Sequence, residues 1–270
     1  MKNSISIDSL EYPYPTYIPS KTAAGCVAAL VSISLLAWFI QTCQQRFQPR
    51  RISFLLLISH MTIFIELIVR ATVPSKNQNS KAVFSIINIL FAIGQRMIIV
   101  GNFAFITEMH HKKSRFIVLS AIFCVVTSGI LMVPANMLSY KSDTINTSYI
   151  FRELSAVVLL FITLLFYPVW YWSKTIKDMN NQALILISIS SIMCITAATF
   201  NVIQSLSTFY TEINSTEGWF YAFQMTPIIF AHFTWSIFHP KRSLVSKHLL
   251  IERTKSEQII TNEELPADTI

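Results

Sequence analysis

The sequence predicts an all-α integral membrane protein with seven transmembrane helices. Apolar residues make up 53% of the 270 residues, and charged residues make up only 13%, about half the share of roughly 25% that is usual in soluble domains. The mean hydropathy is +0.50. A soluble domain of this size could not bury so much apolar surface, so lipid is the expected solvent. The apolar residues come in long runs, without the period-two segments of a membrane β-barrel.

Seven runs that are almost free of charge define the predicted spans, because the hydrocarbon core takes about 20 apolar residues per helix. In order, they lie between Lys21 and Arg46, Arg51 and Thr72, Lys81 and Glu108, Arg115 and Lys141, Glu153 and Lys174, Asp178 and Glu212, and Glu217 and Lys241. The predicted spans are about 22–41, 52–72, 82–107, 116–138, 154–173, 183–208 and 219–238. Only the second and third contain charged residues.

The distribution of Lys and Arg predicts the orientation of the chain. Thirteen of the 21 Lys and Arg residues flank the spans on one side, and six flank them on the other. Because basic loops stay in the cytoplasm, the N-terminus is expected outside and the C-terminus inside. Residues 1–21 are then an extracellular tail, 22–238 the transmembrane domain and 239–270 a cytoplasmic, partly disordered tail. Topology and attraction to anionic lipid thus explain the basic charge, and no nucleic-acid partner is expected.

Two sequons agree with this orientation. Asn146-Thr-Ser and Asn214-Ser-Thr both fall in segments assigned to the outside, so Asn146 and Asn214 are the predicted N-glycosylation sites. All four cysteines avoid these outside segments. The sequence therefore predicts no extracellular disulfide.

Three charged residues within the spans are candidate ligand or translocation residues. Glu66 and Arg70 are four residues apart, so they share a helix face and can pair. Such a pair could join span two to a neighbour or bind a cationic head group. Arg96 lies near the middle of span three with no acid within one turn. Glu66, a group of carbonyls or a water-filled cavity could compensate its charge, and its role is either a structural anchor or an anionic ligand site.

Uncharged polar residues form a second candidate group. Asn201 and Gln204 share one face of span six with Ser205, and Gln224 lies in span seven. Interhelical hydrogen bonds are the simple use of such residues, each contributing about 0.6 kcal/mol. They could instead line a polar passage through the membrane. The same two interpretations apply to His232 of span seven.

The sequence contains none of the common catalytic or metal-binding motifs. It has no nucleotide-binding glycine loop, no Gly-x-Ser-x-Gly and no histidine set of a membrane metalloenzyme. His60 and His232 are isolated in sequence, and the adjacent His110 and His111 cannot face one metal from a helix. We therefore expect no enzymatic activity, no catalytic residue, no bound metal and no cofactor.

The last span and its flanks carry a family resemblance. The segment Glu217–Gln224 contains Trp219 and Tyr221, and Pro227 and the pair His239-Pro240 follow it. Near the N-terminus stands Tyr17-Ile18-Pro19-Ser20. In these motifs and in span spacing from Tyr17 to Leu244, the chain resembles the fungal lipid-translocating exporter family. Its seven-span members are linked to aminosterol resistance and to export of sphingoid bases.

The chain also departs from the family pattern at several polar positions. Gln224 stands where the family usually has Asp, and Asn201 and Gln204 stand where span six usually has Arg and Glu. In span two the acid, Glu66, is four residues before Arg70, which is not its usual family position. Amides do not titrate, so binding of an amine or coupling to protons would be weaker than in the family.

The resemblance implies a plasma-membrane exporter of amphipathic lipids, sterol-like compounds or drugs, with membrane lipids and such ligands as its partners. Its site would lie near mid-membrane between polar helix faces. Glu66, Arg70 and Arg96 would supply charge there, and Asn201, Gln204 and Gln224 would supply hydrogen bonds. The alternative is a seven-span receptor or regulator that senses a lipid and acts on other transporters. Protein partners are not indicated by the sequence.

Overall fold

The computed structural model describes residues 20–74, 81–109, 115–139, 142–173, 175–177, 179–207, 213 and 216–244. These residues form helices and connecting turns, with no strand among them, so the all-α prediction is confirmed. The long helices are α1 (Lys21–Gln44), α2 (Arg50–Thr72), α3 (Lys81–Met109), α4 (Arg115–Leu138), α5 (Ile145–Trp172) and α6 (Asn181–Ser205). Several predicted features lie outside the described residues: residues 245–270 of the predicted tail at 239–270, Tyr17, Pro19, His110, His111 and Asn214.

Six helices within the described residues, α1 to α6, are long and apolar enough to cross a membrane. The chain is therefore a multi-pass, membrane-embedded protein. The helix bounds follow the predicted spans closely except in α5, which begins at Ile145 rather than near residue 154. Arg152 and Glu153 ended the apolar run in the sequence but lie inside this helix. The predicted span was shorter than the helix because charged residues end an apolar run but do not end an α-helix.

The chain after residue 216 forms a last helical run from Glu217 to Ile237. It consists of α7 (Glu217–Trp219), a π-helical segment (Phe220–Met225) and α8 (Thr226–Ile237), followed by the short α9 (Pro240–Ser243). Pro227 lies in the first turn of α8, directly after the wider π turn. Proline has no N–H and its ring clashes with the carbonyl four residues earlier, so an undistorted α-helix cannot continue through it. The π segment relieves that clash by widening the turn.

The helices pack as a ring in chain order. Neighbouring pairs run from α1–α2 to α6–α8, and contacts of α8 with α1 close the ring. Gly94 of α3 allows α2 to approach closely, because a Cβ there would lie 2.6 Å from two atoms of Ile63. The close approach also lets the Ser59 hydroxyl donate to the Gly94 carbonyl at 2.7 Å.

Polar side chains are buried within the bundle beside its apolar core, and many further large apolar side chains cover its outer surface. Glu66, Arg96, His60 and Gln95 are all buried. Phe123 of α4, by contrast, is 73% exposed on the outer surface. This distribution suits a helical bundle in lipid, where hydrocarbon covers the apolar outer faces and polar groups must find partners within the protein.

Candidate functional site

The pair predicted in α2 forms a buried ion pair. The Arg70 Nε–H donates to Glu66 Oε1, and both side chains are withdrawn from the surface. The two residues are four apart with the acid first, so they meet on one helix face. The Arg70 guanidinium also lies 4.1 Å from the ring centre of Phe220, the first residue of the π segment. A cation over an aromatic face is stabilised by the ring quadrupole, which ties α2 to the last helical run.

An acid and a tyrosine of the last helical run border this ion pair. The Tyr221 hydroxyl lies within electrostatic range of Glu217, Arg70 and Glu66, and it has no hydrogen-bond partner among the described residues. Glu217 Oε2 accepts the backbone N–H of Ser20 at 2.8 Å, which joins two of the family-motif residues across the bundle. Glu66 Oε2 is buried without a hydrogen-bond partner among the described residues. We call Glu66, Arg70, Glu217 and Tyr221 the charged cluster.

The predicted amides come together in a second group. Gln224 donates through Nε2 to Asn201 Oδ1 at 2.6 Å and also donates to Gln204. Asn201 in turn donates through Nδ2 to Gln95 Oε1 at 2.7 Å. Gln95 was not predicted from the sequence, where only its position beside Arg96 marks it. Its Nε2 is buried without a partner among the described residues. We call Gln95, Asn201, Gln204 and Gln224 the amide cluster.

The π segment joins the two clusters. Phe220 at its start lies under Arg70, and Gln224, four residues later, lies among the amides of α3 and α6. Phe220 also contacts Phe91 of α3, with ring centres 5.7 Å apart. Charged and hydrogen-bonding groups therefore border one short stretch of the last helical run.

Arg96 lies apart from both clusters. Its Nη2 donates to Ser128 Oγ of α4 at 2.7 Å and to Ser155 Oγ of α5 at 3.2 Å, and Nη1 donates to the Ala92 carbonyl at 3.1 Å. No ion pair with Glu66 occurs in the described part of the chain. From the sequence we considered Glu66, a group of carbonyls or a water-filled cavity as partners of Arg96. In the structure one carbonyl accepts from it, and two serine hydroxyls accept where an acid was considered.

His60 and His232, which are isolated in sequence, lie side by side in the structure. Their ring centres are 3.9 Å apart at the α2–α8 contact. His60 Nδ1 donates to the Leu56 carbonyl at 2.8 Å, and its Nε2 faces the Ser34 hydroxyl at 3.2 Å. Ser59 donates to Gly94, so His232 Nε2 donates to Ser59 Oγ at 2.8 Å. Residues distant in sequence meet only when the ring closes, so sequence spacing carried no signal for this contact.

Trp38 extends the histidine contact towards the end of the bundle. Its ring stacks on His60 at 5.8 Å and on His239 at 5.2 Å between centres. His239 accepts the backbone N–H of Lys241 at 3.3 Å and so caps α9, whose first residue is Pro240. Burial lowers the pKa of His239 to about 4, and the charges of Arg242 and Lys241 act in the same direction. This family-motif residue is therefore neutral at pH 7 and acts as a helix cap.

No family model, curated protein or solved structure matches the chain.

The remaining predicted residues have local roles. Ser20 caps α1 by accepting the backbone N–H of Ala23 at 3.2 Å. Trp219 stacks on Phe223 with ring centres 5.5 Å apart, near the start of the last helical run. Asn146 is exposed in the first turn of α5 rather than in a loop.

The described residues contain no group of three or more His, Cys, Asp or Glu that could hold a metal ion. What the charged and amide clusters provide is binding chemistry. A carboxylate oxygen can accept from an ammonium or hydroxyl group, and an amide can both donate and accept. Together they suit a polar head group that combines an amine with hydroxyls.

Proposed function

We propose that this protein moves amphipathic lipids, sterol-like compounds or related toxic compounds across the plasma membrane and so contributes to drug or lipid resistance. The observation that carries the proposal is the meeting of the charged cluster and the amide cluster at one π-helical segment inside an apolar bundle. The resemblance to the fungal lipid-translocating exporter family supplies the ligand class. The proposal involves no chemical conversion of the ligand.

The proposal includes seven spans, with the N-terminus outside and the C-terminus in the cytoplasm. The last helical run would be the seventh span. At 1.5 Å per residue, residues 217–237 extend about 31 Å, which matches a hydrocarbon core about 30 Å thick. The excess of Lys and Arg on one side of the spans supports the orientation. Asn146 and Asn214 would then lie outside, where they can be glycosylated.

In this mechanism the ligand's head group binds beside the π segment. Glu66 would accept an ammonium or hydroxyl group through Oε2, and the amide cluster would bind further hydroxyls. The apolar tail would remain between helices or in lipid. Because π segments are places where helices bend, the last helical run could open the site to one side of the membrane or the other.

The first prediction concerns Glu66→Gln, which keeps the shape of the side chain but removes its charge. We expect at least a tenfold fall in efflux of a labelled sphingoid base, because one charge-assisted hydrogen bond contributes about 1.5–3 kcal/mol. Efflux is measured from cells that lack or overproduce the protein, at equal protein abundance. Thr163→Val is the matched control. Thr163 is also buried, but among the described residues its hydroxyl bonds only to the Leu159 carbonyl of its own helix.

Unchanged efflux in Glu66→Gln would refute the role of this carboxylate. A second arm uses purified protein in phosphatidylcholine vesicles with the same labelled lipid. Lipid movement there requires no other protein. Dose-dependent efflux in cells without movement in vesicles would favour the regulator hypothesis over the exporter hypothesis.

A further inference from the structure

A lateral apolar groove of about 630 Å³ lies between α2, α3 and α4. It is near the end of the bundle where α2 begins, away from the charged and amide clusters. Its lining residues include Arg50, Arg51, Phe54 and Ile58 of α2, Ala104 of α3 and Leu119 of α4. From Arg50 to Ile58 the groove follows α2 for about 12 Å along the helix axis.

The groove opens towards the lipid rather than towards the interior of the ring. Phe54 is 52% exposed, Ile58 43% and Leu119 61%. Its walls are therefore accessible to a molecule that arrives within the membrane plane. The Phe54 ring is held by stacking on Phe47 of the preceding loop, with ring centres 5.7 Å apart.

One end of the groove is strongly positive. Arg50 and Arg51 are the first two residues of α2, and no acidic residue occurs in that turn. Pro49, at the N-cap, makes no side-chain capping bond. The N-terminus of a helix carries a partial positive charge of its own, so the two arginines add to it. Among the described residues neither arginine forms an ion pair.

An apolar trough that ends in two cations matches one class of molecule. A phosphate ester fits the arginines and the helix N-terminus, and an acyl chain fits the apolar walls. Free phosphate would gain nothing from the apolar walls, and a neutral lipid would gain little from the arginines. Charge complementarity thus favours an anionic membrane lipid.

We infer that this groove binds a single anionic phospholipid, with its phosphate at Arg50 and Arg51 and an acyl chain along α2. This site is additional to the proposed translocation site. It depends on the protein being embedded in a membrane and not on lipid export. Under the orientation proposed above, the lipid belongs to the cytoplasmic leaflet, where anionic lipids are concentrated.

The test measures binding of phosphatidylserine to the purified full-length protein by native mass spectrometry. Phosphatidylcholine of the same acyl chains and inorganic phosphate are the comparison probes. We expect the first phosphatidylserine to bind at least tenfold more tightly than phosphatidylcholine. Each basic residue near an anionic surface contributes about fivefold to binding, so Arg50→Gln/Arg51→Gln should weaken phosphatidylserine binding about thirtyfold.

Two controls separate the groove from general surface charge and from misfolding. Arg46→Gln/Lys241→Gln removes two charges at the same end of the bundle but outside the groove, so binding should stay within about twofold. Leu119→Trp should fill the groove and abolish tight binding. Phe123→Trp, one turn further along α4 on the 73% exposed outer face, should leave binding unchanged. Thermal unfolding of every variant checks that it is folded.

Three results would overturn the inference. The first is equal affinity for phosphatidylserine and phosphatidylcholine. The second is a loss of phosphatidylserine binding in Arg46→Gln/Lys241→Gln that equals the loss in Arg50→Gln/Arg51→Gln. The third is phosphatidylserine binding by the folded Leu119→Trp variant that is as tight as binding by the parent protein. Each would show that the apolar groove and its arginines do not act as one site.

Discussion

Arg96 is a buried cation whose described contacts include no carboxylate. Ser128 and Ser155, its two hydroxyl acceptors, also bond across the α4–α5 contact. Ser128 donates to the Ser155 carbonyl at 2.9 Å, and Ser155 donates to the Ser128 carbonyl at 2.7 Å. These two hydrogen bonds fix the positions of the serine hydroxyls, so the Arg96 guanidinium binds to two oxygens that are already in place.

The second prediction concerns Ser128→Ala/Ser155→Ala. This double variant should lower the free energy of unfolding by about 3 kcal/mol, because it leaves the Arg96 guanidinium buried with too few acceptors. Stability is measured by denaturant unfolding in detergent micelles.

Adding Arg96→Met to this double variant should restore most of the loss, because the buried charge is then removed. Arg96→Met alone should be nearly neutral, since each serine still donates to the other's carbonyl. A triple variant as unstable as the double variant would show that Arg96 does not depend on these hydroxyls.

Gly94 determines how closely α2 and α3 can pack. The third prediction is that Gly94→Ala costs about 1–3 kcal/mol of stability, because the new methyl group would overlap Ile63. Gly25→Ala is the matched control, since no atom of the described residues lies within 4 Å of its added Cβ. It should be neutral or slightly stabilising, as alanine is the better helix former. Thermal unfolding of both variants in micelles measures the difference.

A stable Gly94→Ala protein would mean that α2 and α3 can separate without cost. The histidine contact should respond to the same change, because Ser59 bonds to both Gly94 and His232. Separation of the two helices at this point would weaken both hydrogen bonds.

The fourth prediction concerns orientation: which end of the ring of helices faces the cytoplasm and which faces the outside. Cys43 is an exposed free cysteine near the end of α1, and Asn146 is exposed near the start of α5. In a variant whose only cysteine is Cys43, a membrane-impermeant maleimide should label cells only after permeabilisation. With Asn146→Cys as the only cysteine, intact cells should be labelled. The opposite pattern would reverse the proposed orientation.

Much of the candidate site could be anticipated from residue spacing. The i, i+4 spacing of Glu66 and Arg70 predicts their pairing within one helix. The spacing of Asn201 and Gln204 predicts that they share one helix face, and Gln224 donates to both. Gln95 and the contact of His60 with His232 could not be anticipated, because each requires two helices to meet.

By itself the sequence determined that the protein lies in lipid, that it is all-α and where six of its helices lie. These follow from the length of the apolar runs and from the need to satisfy backbone hydrogen bonds in lipid. Only the tertiary structure decided which polar groups share a partner. It directs Arg96 to the serines of α4 and α5, joins Gln95 to the amides and brings two histidines together. These contacts depend on packing between segments that are distant in sequence. Hydrophobic periodicity can be read directly from a sequence, whereas which helix faces pack against each other cannot.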